Sequence, residues 1–241
     1  MIDGSMQYYG LTLDKFLSHA AKWHPDAEVV SATAAGGVRR TGYAALHDRA
    51  RGVSGALRAL GIGRGDRVAT LAWNTQGHVE AWYGIMGMGA ICHTLNPRLT
   101  AAQLSAMLAQ SAAALLLVSP DLLPLAREAS ANLPALRRIL LLDTDADEDG
   151  ADAFDPLVAA APRDAVWGDF AEDTPSGLCF TSGSTGAPKG VTYTHRGCYL
   201  HTMRQLQADV LGPTARDAIL AVVPMFHANA WGLPFAAPAV G

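Results

Sequence analysis

Thr181-Ser182-Gly183-Ser184-Thr185-Gly186-Ala187-Pro188-Lys189-Gly190-Val191 follows an apolar run, Gly177-Leu178-Cys179-Phe180, that reads as the end of a buried strand. The stretch holds three glycines, a run of hydroxyls and one lysine. A loop of this composition can turn its backbone N–H groups inward and wrap a phosphate. Glycine permits close approach and positive φ, and the hydroxyls donate further hydrogen bonds. Lys189 adds a mobile positive charge, and Pro188 fixes the backbone just before it. The common nucleotide loop G-x-x-x-x-G-K-[ST] does not fit, because Pro188 precedes the lysine and Gly190 follows it. The dinucleotide fingerprint G-x-G-x-x-G also fails, because Ser184 and Thr185 separate Gly183 from Gly186.

Outward from this loop, helix-like and strand-like segments alternate, which is the mark of an α/β fold. Residues 13–23 read as a short amphipathic helix. Residues 28–32 and 38–41 read as a hairpin turned at Gly36-Gly37, and residues 43–60 as a helix capped by Gly61. Apolar strands are expected at 67–72, 90–94, 114–119, 138–142 and 176–180. Helices are expected at 78–88, 101–110 with Thr100 as cap, 122–131 and 195–210. A further strand is expected at 218–223. Such strands separated by helices predict a largely parallel sheet covered on both faces. Loops at the carboxyl ends of its strands are the usual ligand position. The expected division is a helix-and-hairpin lead-in over 1–65 and an α/β subdomain over 66–241.

Residues 143–155 are rich in aspartate, and Asp145, Asp147, Asp149 and Gly150 fit the first half of a calcium loop. Position twelve of that loop is Pro156, where a bidentate glutamate is required, so the segment reads as a solvated acidic connector.

Half of the 241 residues are hydrophobic and 17% are charged, enough for a substantial core and too apolar for disorder. The formal net charge of −4 gives no basic footprint for nucleic acid or anionic membranes. Cys92, Cys179 and Cys198 are scattered, without the spacing of a zinc site or a disulfide framework, which suits a reducing compartment. The first ten residues lack a basic and then apolar run, and the uncharged stretch 81–97 is shorter than the ~20 residues a membrane span needs. A cytoplasmic protein is expected.

The 181–190 string resembles the phosphate loop of the AMP-forming adenylating enzymes, [ST]-[ST]-G-[ST]-T-G-x-P-K-G, and matches it at every specified position. Thr194-His195-Arg196 stands where that superfamily carries a Ser/Thr-His pair opening the next helix. Val223-Pro224-Met225-Phe226-His227 resembles its next motif. The continuation through Trp231 to Pro234 looks most like the fatty-acyl-CoA synthetases, as do Gly65-Asp66-Arg67-Val68-Ala69 and Leu95-Asn96-Pro97-Arg98-Leu99. The resemblance implies part of the large N-terminal domain of a medium- or long-chain fatty-acid–CoA ligase. The substrates would be fatty acid, ATP and coenzyme A, with Mg²⁺ as cofactor.

On that resemblance, a carboxylate attacks the α-phosphate of ATP, and coenzyme A then displaces AMP from the acyl-adenylate. Thr181, Ser182, Gly183, Ser184, Thr185, Gly186, Lys189 and Gly190 would grip the departing phosphates. Thr181 is the first choice of Mg²⁺ contact and Thr185 the second. Lys189 would act as a neutralising charge, lowering a barrier that contains charge repulsion. His227 and Trp231 would border the acyl chain. For Phe226 and Trp231 the competing reading is that they fill core. His201 reads as part of a polar helix face.

The family's Tyr-Gly-x-[ST]-Glu segment, ribose-binding aspartate and C-terminal lysine domain find no match in these residues. The chain is therefore expected to be an N-terminal portion, inactive alone and prone to form a homodimer or otherwise self-associate through exposed apolar surface. Alternative readings are adenylation of an aryl or amino acid, and a non-catalytic nucleotide-binding or interaction module.

Overall fold

The computed structural model describes residues 9–33, 36–181 and 188–241. The chain opens with α1 (Asp14–Trp23), the antiparallel hairpin β1 (Glu28–Ala32) and β2 (Val38–Gly42), and the long helix α2 (Tyr43–Ala59). There follow β3 (Arg67–Leu71), α3 (Gln76–Gly87), β4 (Ile91–Thr94), α4 (Ala101–Ser111), β5 (Leu115–Val118), α5 (Leu123–Ser130) and β6 (Arg138–Leu141). Then come β7 (Asp152–Ala153), α6 (Phe154–Ala160), β8 (Pro175–Thr181), β9 (Lys189–Thr194), α7 (His195–Gln205) and α8 (Leu233–Val240).

Seven strands form one sheet in the order β7-β6-β5-β3-β4-β8-β9. All neighbouring pairs are parallel except β8 and β9, which run antiparallel. The expected α/β architecture with a largely parallel, helix-covered sheet is thus present.

Successive side chains of a strand point to opposite faces, and the apolar strands divide accordingly. Leu115 and Leu117 join Val68 and Cys92 in a core that also takes Leu17, Leu46, Trp82, Phe154 and Phe235 from the helices of one face. Leu116 and Val118 join Ala69 and Leu71 in a second core with Leu104, Met107 and Ala126 from α4 and α5. Helices α2 and α3 pack closely: a Cβ on Gly84 would stand 2.4 Å from Val53 Cγ1. Only glycine permits this approach.

Local signals set the helix starts. Thr100 accepts from the Gln103 N–H while the Gln103 side chain accepts from the Thr100 N–H, a reciprocal cap for α4. Thr75 caps α3 and Thr194 caps α7 in the same sense, each accepting from the N–H three residues on. Gly61 closes the turn after α2 at φ +76°.

Four expectations need correction. Residues 218–223 do not form a strand; they find no sheet neighbour among the described residues and turn at Ala221, where the Val222 N–H donates to the Leu220 carbonyl, with Leu220 85% and Val222 75% exposed. Helix α7 ends at Gln205 and not at residue 210, because the N–H groups of Leu211 and Gly212 turn back onto the Gln205 carbonyl. The acidic connector is not all loop: its end forms β7 on the sheet edge and leads into α6. The glycine-rich string does not stay irregular through Val191, because Lys189, Gly190 and Val191 belong to β9. No α-helix among the described residues is long and apolar enough to cross a membrane.

Candidate functional site

Thr181 is the last residue of β8, and its register partner is Lys189, the first residue of β9. The two therefore stand opposite each other at the mouth of the connection that carries the motif. Both are exposed. Ser182, Gly183, Ser184, Thr185 and Gly186 lie outside the described residues. Gly190 pairs with Phe180, and a Cβ there would come within 3.1 Å of Leu178 Cδ1 and 3.2 Å of the Phe180 ring. A larger residue there would press on both side chains. The strand β8 is the fixed side of the site, with Gly177, Leu178 and Cys179 paired to β4.

The second loop, Met225 to Gly232, is tied to the same strand. The Cys179 thiol donates to Asn229 Oδ1 at 3.3 Å, two residues before Thr181. Phe226 is buried, whereas His227 is exposed and Trp231 is 58% exposed. Phe226 thus fills core, and Trp231 does not.

Residues 228–231 run through the left-handed region at φ between +46° and +54° before Gly232, a conformation costing roughly 1–2 kcal/mol per non-glycine residue. The turn is held by α7. Both His201 Nε2 and the Gln205 amide donate to the Trp231 carbonyl. His201, expected on a polar helix face, is exposed but makes this contact.

His195 is not an exposed site group. It is fully buried at the start of α7, its Nδ1 accepts from the Leu13 N–H at 3.2 Å, and burial pushes its pKa down to about 3. It is a neutral ring that anchors α7 to the turn before α1.

A metal held by this chain alone would need several hard oxygen ligands. Among the described residues no three His, Cys, Asp or Glu side chains cluster to hold an ion. Asp145, Asp147 and Asp149 do not form such a group. The exposed Thr181 hydroxyl at the end of β8 fits a single Mg²⁺ contact whose other ligands are phosphate oxygens and water, the manner in which Mg²⁺ is commonly bound.

A cavity of about 820 Å³ opens beside the second loop, lined by Tyr43, Leu46, Val79, Tyr83, Met225 and Leu233 among others. Thr181, Lys189 and His227 do not line it. The cavity is a mostly apolar space bordering the second loop, separate from the β8–β9 connection.

Sequence reading missed Asn74. It lies just past the carboxyl end of β3, and the signal was available: a polar side chain immediately beyond a buried parallel strand.

The sequence profile of the AMP-binding enzyme family matches residues 17–241. The chain belongs to that family. It is 38% identical to a medium-chain-fatty-acid–CoA ligase of Ectopseudomonas oleovorans over 99% of its own length and 44% of the relative. It is 42% identical to a long-chain-fatty-acid–CoA ligase of Thermus thermophilus over 96% of its length and 42% of the relative. The N-terminal domain of FACL13 from Mycobacterium tuberculosis superposes with a TM-score of 0.82 at 26% identity, covering 95% of this chain and 55% of that one. The chain spans less than half the length of the curated relatives it matches.

Proposed function

We propose that this chain carries the phosphate-gripping loop and the acyl-side loop of a fatty-acid–CoA ligase acting through an acyl-adenylate. The observation that carries the reading is the pairing of Thr181 with Lys189, which closes the motif into a hairpin at the carboxyl edge of the sheet. The identities of 38% and 42% to fatty-acid–CoA ligases support the acid class.

Both reactants of the first step are anions, and the leaving pyrophosphate gains charge as the P–O bond breaks. Lys189 and the hydroxyl of Thr181 neutralise that charge from one side of the hairpin mouth, with Ser182 to Gly186 contributing donors. Mg²⁺ bound to the phosphates would supply further charge neutralisation, with Thr181 as the contact from this chain. His227, exposed on the neighbouring loop, faces the acid, and Trp231 borders the acyl chain. Coenzyme A is the acceptor of the second step. These residues lack the family's ribose-binding and Tyr-Gly-x-[ST]-Glu motifs, so no acyl-CoA formation is expected from the 241-residue chain by itself. Its place of action is the cytoplasm.

Acid class is tested by competition against a fluorescent fatty-acid probe. Laurate should displace the probe at concentrations at least about tenfold lower than benzoate, because each additional buried CH₂ contributes about 0.8 kcal/mol. Equal or preferential displacement by benzoate would replace the fatty acid with an aryl acid in the same reaction.

We further propose that the chain self-associates through residues 218–223. Ile219, Leu220 and Val222 are exposed, the first two lining the cavity, and exposed apolar patches mark contact surfaces. Light scattering should report a dimer or larger species at micromolar concentration. A Leu220→Glu, Val222→Glu variant should shift it to monomer, and a monomeric wild-type chain would contradict the assignment.

A further inference from the structure

Residues 218–225 have the composition of a strand and no strand beside them among the described residues. Their backbone is nevertheless held. Asn74 Nδ2 donates to the carbonyls of Ala221 at 2.8 Å and Val223 at 2.9 Å. Asn74 Oδ1 accepts from the Met225 N–H at 2.7 Å. The three partners are alternate residues, and the Val222 N–H donates to the Leu220 carbonyl between them, so the backbone turns here and is gathered onto one side chain. Among the described residues these are the hydrogen bonds that anchor residues 213–225 across the chain; the others there are local turns.

The side chains around this clamp belong to the acyl-side loop. Met225 and Phe226 are buried, at 2% and 6% exposure. The Phe226 ring stands edge-on to Trp73, with centroids 6.4 Å apart, and Arg98 lies over its face at 5.8 Å. Asn74 is next to Trp73 in sequence, and its acceptor bond fixes the backbone one residue before Phe226 and two before His227. Lost backbone bonds in this stretch would free both.

We propose that Asn74 is a positioning residue for the acyl side of the site, setting the register of residues 221–225 and through them the placement of Phe226 and His227. This rests on the reading of the Met225–Trp231 loop as the acyl side. The amide is chemically specific for the task. It presents two donors to two carbonyls and one acceptor to one N–H. Aspartate would keep the acceptor but turn an anionic oxygen toward two carbonyl oxygens, and alanine would remove all three bonds.

The test uses the 241-residue chain as wild type, Asn74→Ala and Asn74→Asp. Hydrogen exchange is read at the Met225 amide, with β5 as an internal control. Binding is measured separately for laurate and for magnesium pyrophosphate. In Asn74→Ala the Met225 amide should exchange about tenfold faster or more, equivalent to about 1.4 kcal/mol of lost local hydrogen bonding, with β5 unchanged. Laurate should bind about tenfold more weakly and pyrophosphate unchanged. Asn74→Asp should keep the Met225 amide protected yet lose laurate affinity. Unchanged Met225 exchange in Asn74→Ala would overturn the clamp. Equal weakening of laurate and pyrophosphate would overturn the positioning role in favour of a general structural one. A wild-type chain that binds no laurate would overturn the acyl-side reading and the positioning role together, while the exchange result would still decide whether the clamp exists.

Discussion

Lowering the pH from 7 to 5 is expected to cost this chain up to about 6 kcal/mol of stability, a large share of the roughly 5–15 kcal/mol that typically holds a domain folded. Three histidines are responsible. His78, His93 and His195 are all completely buried. Burial holds their pKa values down, His78 at about 4 and His93 and His195 at about 3, against an ordinary 6.5. The unfolded chain therefore binds more protons than the folded one between pH 6.5 and 3 to 4. Stability from these rings is complete above 6.5 and is lost as the pH falls below it. At pH 5 each ring contributes a loss of about 2 kcal/mol, from 1.36 kcal/mol per pKa unit.

The rings differ in how they are held. His78 Nδ1 donates to the Trp73 carbonyl, and its Nε2 accepts from the Trp82 indole at 3.0 Å. That set of bonds fixes the neutral tautomer. Neither nitrogen of His93, beside the Phe180 ring, has a partner among the described residues. A proton on it would be a charge without compensation. Glu80 and Asp155 shift the other way through burial and offset part of the loss at the acid end. Thermal melts followed by circular dichroism between pH 7.5 and 5 would show the midpoint falling steeply below 6.5. A midpoint independent of pH over that range would contradict the assignment.

Arg49→Ala is expected to destabilise the fold by about 3 kcal/mol, the scale for stripping one partner from a buried ion pair. Arg49 on α2 donates to Glu80 of α3 at 2.8 Å and to Asp155 of α6 at 3.1 Å. Glu80 is 1% exposed, and Gln76 also donates to it. Burial raises the Glu80 pKa, and Arg49 opposes that rise. Without Arg49 the carboxylate is left charged in an apolar surrounding or must take a proton. Two consequences separate this from lost packing. The defect should shrink as the pH falls toward the Glu80 pKa, and Glu80→Gln in the Arg49→Ala background should restore part of the stability. Urea melts of the single and double variants measure both. A double variant no more stable than the single would show that the charge is not the cause.

The parallel sheet was legible because β3, β4, β5 and β6 are short apolar runs separated by capped helices, a pattern few other folds produce. What escaped was decided by neighbours. Residues 218–223 have the apolar content of a strand, but a strand needs a partner, and here the backbone turns and is held by Asn74, 147 to 151 residues away in sequence. The alternation of Val191 and Tyr193 with Thr192 and Thr194 marks β9, yet the glycines before it draw the eye to a loop. Helix α8 is apolar on every side and contains two prolines, so it has no periodicity to reveal it.

At the candidate site, the motif proposed to hold phosphate stands out in sequence because its residues are contiguous. The burial of His195, the left-handed turn before Gly232 and the hold of His201 and Gln205 on it depend on contacts between distant elements. No spacing rule within one segment encodes them.

The central claim is that the hairpin mouth formed by Thr181 and Lys189 grips the departing phosphates. Calorimetric titration of the 241-residue chain with magnesium pyrophosphate tests it most directly, with Lys189→Ala beside the wild type. Saturable binding is expected, weakened about tenfold or more by the substitution, since a charge-assisted hydrogen bond contributes about 1.5–3 kcal/mol. Absence of binding, or equal affinity of the two proteins, would contradict the account.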